Sequence, residues 1–166
     1  MVGNRPETEQ QNYAFIDGQN VHMSVKNQNW ALDYRRFRQY LADKYSVTKA
    51  FFFIGYIPTN TSLYKSLQEC GFILIFKPIL EIKGRIKGNI DAELVLQAMV
   101  EYPNYDKAVI VSGDGDFYCL VKYLMNKGKL LKLMVPDDSQ FSSLLREFVA
   151  YIVGINKIKN KLSYKK

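Results

Sequence analysis

The chain has two cysteines, one histidine and no long apolar run, and each shortage removes a class of function. Cys70 and Cys119 stand alone in apolar surroundings, without CxxC or Cys/His spacing. A thiolate metal site and a disulfide framework are therefore excluded, and both thiols read as reduced core residues. His22 follows "GQNV" with no second imidazole to pair with, which leaves it an acid or base beside Asp17 or a side chain without chemistry. No apolar run approaches the roughly 20 residues that a membrane-spanning helix needs, and the polar opening "MVGNRPETEQQN" is unlike a signal peptide. A soluble, cytoplasmic protein with no membrane partner is expected. Neither repeats nor a linker rich in Pro, Gly or Ser divide the chain. We expect one domain over residues 13–154, a flexible leader over 1–12 and a basic tail over 155–166.

What is present is core and positive charge. Of 166 residues, 48% are hydrophobic, enough for one substantial core. Lys and Arg number 23 against 16 acids, a formal charge of +7, concentrated in "KGRIK" and "NKIKNKLSYKK". Such a balance favours a polyanionic partner, nucleic acid before an anionic membrane.

Short apolar runs alternate with amphipathic segments. "YAFID" reads as a buried strand closed by the turn "GQN". "DYRRFRQYLADKY" reads as a helix capped by Asp33, with Tyr34, Phe37 and Leu41 on one stripe. "TKAFFFIGYI" is a strand, "SLYKSLQECG" a helix ended by Gly71, and "FILIFKPIL" a strand. "EIKGRIKGN" is the one long irregular stretch. Then come helix "DAELVLQAMVEY", strand "KAVIVSG", helix "DFYCLVKYLMNKG", strand "KLLKLMVP" and a last helix, "FSSLLREFVAYI", with Phe141, Leu144, Leu145 and Phe148 inward. Strands apolar throughout, alternating with helices, indicate a three-layer α/β/α fold around a mainly parallel sheet.

In such a sheet, functional groups gather at the carboxyl ends of the strands. Asp17 ends the first strand, Asp114 and Asp116 follow "KAVIV", and Asp91 opens a helix on the stripe of Leu94, Val95 and Ala98. Each acid alone is explained as a helix cap. Four at one sheet edge repel one another, and burying them unpaired is costly; a hard divalent cation, Mg²⁺ or Mn²⁺, resolves the conflict through oxygen ligands. Asn20 is placed to bond a carboxylate or close a turn, and Ser112 to orient Asp114 or a phosphate. Arg85 and Lys87 lie in the glycine-containing loop before Asp91, suited to phosphates. Tyr34, Tyr56 and Phe117 offer ring faces to bases, although their spacing suits core packing better.

"FIDGQN", "KGNIDAELVLQAM" and "VIVSGDGDFYCLVKYLMNKGK", in that order and spacing, resemble the NYN domain, the LabA-like branch of the PIN-like ribonuclease superfamily, from about Tyr13 to Ile152. The resemblance implies a PIN-like, Rossmann-like sheet whose acids bind one or two Mg²⁺ or Mn²⁺ ions and hydrolyse RNA, single-stranded or structured, leaving a 5′-phosphate and a 3′-hydroxyl. The family's "DGxN" falls on Asp17 and Asn20, "KGxxD" on Asp91, and "SGDGDF" on Ser112, Asp114 and Asp116. A later aspartate that many relatives carry has no counterpart in "LLREFVAYIV". The expected activity is thus an Mg²⁺- or Mn²⁺-dependent endoribonuclease using Asp17, Asp91, Asp114 and Asp116, with Asn20, Ser112, Arg85 and Lys87 toward the substrate; a homodimer is compatible with it. The competing reading is an RNA-binding or regulatory module of the same fold with little or no catalysis. A haloacid-dehalogenase-type phosphatase needs an Asp two residues after its nucleophile, where this chain has Gln19. A dinucleotide site at "GDGD" lacks its third glycine and would repel a pyrophosphate.

Overall fold

The computed structural model describes residues 10–78, 80–82, 85–87 and 90–164, with backbone alone at 78, 80–82 and 85–87. The strands are β1 (Asn12–Asp17), β2 (Val47–Tyr56), β3 (Phe72–Pro78), β4 (Leu80–Ile82), β5 (Arg85–Lys87), β6 (Ala108–Val111), β7 (Leu130–Val135) and β8 (Ile152–Gly154). The α-helices are α1 (Gly18–Asn27), α2 (Tyr34–Tyr45), α3 (Thr61–Glu69), α4 (Asp91–Val100), α5 (Tyr118–Asn126) and α6 (Lys159–Leu162). Six strands form one parallel sheet in the order β3-β2-β1-β6-β7-β8. This is the α/β architecture that the alternating pattern implies.

Every residue of β1 is buried, as required of a central strand covered on both faces. Its side chains alternate between two cores. Tyr13 and Phe15 pack with Leu94 and Ala98 of α4 and Leu120 and Leu124 of α5, while Ala14 and Ile16 pack with Val21 and Val25 of α1 and Phe37 and Leu41 of α2. Phe15 lies opposite Phe51 in the β1–β2 register, and their rings stack with centroids 5.4 Å apart, a cross-strand pair that favours this register over a one-residue slip.

Several local expectations are corrected. "GQN" is not a turn: α1 begins at Gly18, directly after the strand, with Val21 and Val25 buried one turn apart. Gly18 permits this close start, because a Cβ there would lie 2.8 Å from the Phe53 carbonyl oxygen and nearer still to the Phe52 ring. "EIKGRIKGN" is not wholly irregular, since β4 and β5 pair antiparallel within it. The last expected helix consists of 3₁₀ turns over Ser143–Tyr151, non-helical at Phe148. Leu145 and Phe148, three residues apart and therefore aligned in a 3₁₀ turn, are buried, while Leu144 is turned out to solvent. The backbone then pairs as β8, a sixth strand. Cys119 is exposed rather than a core residue. The basic segment after 154 is folded through Leu162: Ile155 and Leu162 are fully buried, and the Leu162 carbonyl accepts the Asp33 N–H at 2.8 Å. Among the described residues no helix is long and apolar enough to cross a membrane.

Asn12 is a buried polar side chain at the opposite end of β1 from Asp17. Its amide donates to the Tyr45 carbonyl at 2.7 Å and accepts the Lys107 N–H at 3.0 Å, tying the end of α2 to the entry of β6. Asn12→Ala leaves both backbone groups without that partner and is expected to cost about 1–3 kcal/mol. Thermal unfolding checks this: at this chain length each kcal/mol lowers Tm by a few degrees.

Candidate active site

The strand order places β1 and β6 side by side although the chain between them builds two more strands on the far side of β1. From β1 the chain runs one way to β2 and β3, and from β6 the other way to β7 and β8. Crevices open at such a switch point, outside the carboxyl ends of the strands. Ile16 pairs with Val111, so the next residues along, Asp17 and Ser112, come out together at the head of the crevice.

Hydrogen bonds hold this pair. The Ser112 hydroxyl, fully buried, donates to Asp17 Oδ2 at 3.1 Å and accepts the Asp114 N–H at 3.0 Å. Asp17 Oδ1 accepts the Asn20 N–H at 3.2 Å, capping α1. The Asn20 side-chain oxygen accepts the Gly113 N–H at 2.9 Å, so α1 and the loop after β6 are clasped from both sides. Asp114 in turn caps the short helical turn Gly115–Phe117 by accepting the Asp116 N–H at 2.9 Å. Ser112 thus bonds the carboxylate of Asp17 and the backbone of Asp114, while Asn20 meets the Asp17 carboxylate through its N–H and the Gly113 backbone through its side chain.

α4 supplies the third acid. Leu94 and Ala98 bury its inner stripe, which turns Asp91, in its first turn, toward the strand ends. One carboxylate oxygen from each of Asp17, Asp91 and Asp114 lies within 4.8 Å of the others. Asp116, the fourth expected acid, is not in this group. It is exposed on the turn that Asp114 caps, and its backbone N–H donates to Asp114. The side chains of Arg85 and Lys87 lie outside the described residues. Phe117 is a core residue, Tyr56 is exposed against Tyr64, and His22 is exposed on α1.

Asp17 is only 4% exposed. Burial pushes its carboxyl above the ordinary range, and the neighbouring Asp114 charge pushes the same way, against the lowering effect of the bonds from Asn20 and Ser112. Three all-oxygen, hard donors converging on one point, the most buried of them resisting ionisation, suit a divalent oxygen-seeking cation.

Carboxylates assembled at the switch point of a six-stranded parallel sheet define the class of the chain, an α/β domain with an acidic site. The NYN domain model matches residues 13–156, and the chain belongs to the NYN domain family, within the PIN-like nuclease superfamily. It is 26% identical over 157 residues to the low amplitude and bright protein LabA of Synechococcus elongatus, a match covering 88% of this chain and 84% of that protein. A crystal structure of a Vibrio parahaemolyticus protein of unknown function superimposes with a TM-score of 0.78 over 97% of this chain and 100% of the other. At 23% identity that likeness speaks for the fold alone.

Of one further set of residues the sequence signalled only Tyr34 and His22. A trough of about 930 Å³ runs beside the acids, lined from α1 through the start of α2, from β2 through α3, and by Lys77 of β3 and Ile90. Four stretches of chain, 18–34, 52–67, Lys77 and Ile90, contribute to it, so no local spacing marks it.

Because the raised carboxyl of Asp17 holds its proton more firmly folded than unfolded, it favours folding at low pH. That contribution is lost as pH rises through the ordinary carboxylate range to the raised folded value. Asp17→Asn keeps a competent cap without the buried charge. In metal-free buffer it is expected to raise Tm at pH 7, with the difference from wild type closing as pH falls through the carboxylate range. Thermal melts across that range check it.

Proposed function

We propose that this chain is an Mg²⁺- or Mn²⁺-dependent ribonuclease that hydrolyses RNA phosphodiester bonds at Asp17, Asp91 and Asp114. The observation that carries the reading is the convergence of these three carboxylates, one of them buried, at the switch point of a PIN-like sheet. A divalent cation held there would supply a Lewis acid that activates water and offsets charge gathering on the phosphate.

The chain's own residues do the rest. Asp17, fixed by Ser112 and by the Asn20 N–H, presents its carboxylate without a free rotor. Asp114 is held by the cap it makes, and Asp91 rides on a helix whose inner face is packed. Such fixed donors need little reorganisation when charge develops on the substrate. Asp116, at the rim, would orient water or a second ion rather than share the first. Outside the acids, the charge of +7 draws RNA to the surface, and Arg85 and Lys87, preceding Asp91, would contact neighbouring phosphates. A cytoplasmic location accords with these roles.

The purified chain should cut RNA when Mn²⁺ or Mg²⁺ is present and stop when the ion is chelated. Asp17→Asn and Asp114→Asn should each lower the rate at least about a hundredfold, roughly 3 kcal/mol of barrier, with Asp116→Asn losing much less. The same ions should raise the Tm of wild type but not of Asp17→Asn. Equal cutting by wild type and Asp17→Asn sinks the nuclease reading. RNA bound in a salt-dependent way yet left intact in Mn²⁺ makes the chain an RNA-binding module instead.

A further inference from the structure

The trough beside the acids is joined to them through the chain. Gly18 follows Asp17, Ile90 precedes Asp91, and both line it. Its other walls include Trp30, Tyr34, Phe52 and Ile54. Trp30 sits just past α1, held by its indole N–H donating to the Gln28 side-chain oxygen at 3.3 Å, while Tyr34 packs edge-on against Phe52. Polar groups stand at separate places: Gln19, Asn29 and Asn60 can read hydrogen-bonding edges, His22 adds an imidazole, and Lys26 and Lys77 add positive charge, Lys77 lying 3.7 Å from Glu93. An apolar, aromatic-walled cleft with scattered amide groups has the chemistry of a site for a flat heterocycle. Single-stranded RNA is recognised through splayed bases that stack on aromatic rings and are bonded at their edges.

We propose that this trough is a base-binding subsite for single-stranded RNA, holding the nucleoside next to the phosphate at Asp17, Asp91 and Asp114. The proposal rests on RNA as the polymer at those acids. Continuity with the acids selects a nucleotide over an apolar partner, because an occupant that fills the trough as far as Gly18 and Ile90 comes up against the carboxylates, where a cation-bridged phosphate fits and an apolar group does not. RNA whose bases are locked in a duplex cannot enter, so the trough also sets a preference for unpaired strands.

Trp30 is the single tryptophan of the chain, so its fluorescence reports the trough directly and without turnover. Asp114→Asn protein in EDTA is titrated with a short single-stranded oligoribonucleotide and with a ribose-phosphate oligomer of equal length lacking bases. Saturable quenching by the first and none by the second is expected. Met23→Glu with Leu63→Glu, at lining positions 49% and 40% exposed, should weaken the base-dependent binding about tenfold in protein whose circular dichroism is unchanged. Equal quenching by the baseless oligomer overturns the proposal, as does unchanged binding by the folded double variant. So does a tryptophan change that depends on protein concentration without RNA, which would mark the trough as a contact between copies of the chain. Cleavage is measured separately on the wild-type chain in Mn²⁺. Base-dependent quenching without cleavage removes the nuclease reading and keeps the subsite; cleavage without base-dependent quenching does the reverse.

Discussion

The parallel pairing of β1 with β6 is the constraint on which the site depends. Ile16 opposite Val111 sets Asp17 beside Ser112, and from that adjacency follow the bond from the Ser112 hydroxyl to Asp17 and its acceptance of the Asp114 N–H. A slip of one residue would turn every side chain of β1 to the opposite face. It would exchange the Phe15 and Ile16 cores and carry Asp17 away from the loop after β6. The packing of two separate cores on the two faces therefore holds the register and, with it, the acids.

Charge then shapes the fold locally. Asp17 and Asp114 each stand at the N-terminus of a helical segment and accept a backbone N–H there, and Asp91 lies in the first turn of α4. Backbone N–H groups and helix dipoles offset part of the repulsion between gathered carboxylates. Capping would consequently not compete with holding a cation, since a carboxylate has lone pairs enough to accept a cap and still present an oxygen. What the caps leave uncompensated is visible at Asp17, whose carboxyl is raised by burial first and by Asp114 as well.

Much of the layer pattern was legible along the chain, because each signal was short-range. Asp33 caps α2, Gly71 with φ +100° ends the α3 connection where an L side chain would be strained, and the fully apolar "AVIV" of β6 is buried throughout. The errors fell where tertiary packing overrode local chemistry. "DGQN" has turn composition, yet Gly18 lets a helix start hard against β2. "FSSLLREFVAYI" has a helical stripe, yet burial of Leu145 with Phe148 and the pairing of β8 on the sheet edge select 3₁₀ turns and a strand. Cys119 lies in an apolar segment but on the outer side of α5, a matter of helix phase rather than composition.

The sequence by itself determined the alternation of strands and helices, the acids at strand ends and helix starts, and the basic balance of the chain, since periodicity, capping chemistry and charge are local properties. Only the tertiary structure decided that Asp17, Asp91 and Asp114 meet while Asp116 stands outside, that Ser112 and Asn20 clasp the site, and that four stretches of chain enclose a trough beside it. Those outcomes depend on strand order and register between segments nearly a hundred residues apart. No spacing along the chain encodes them; the mutual packing of the two cores does.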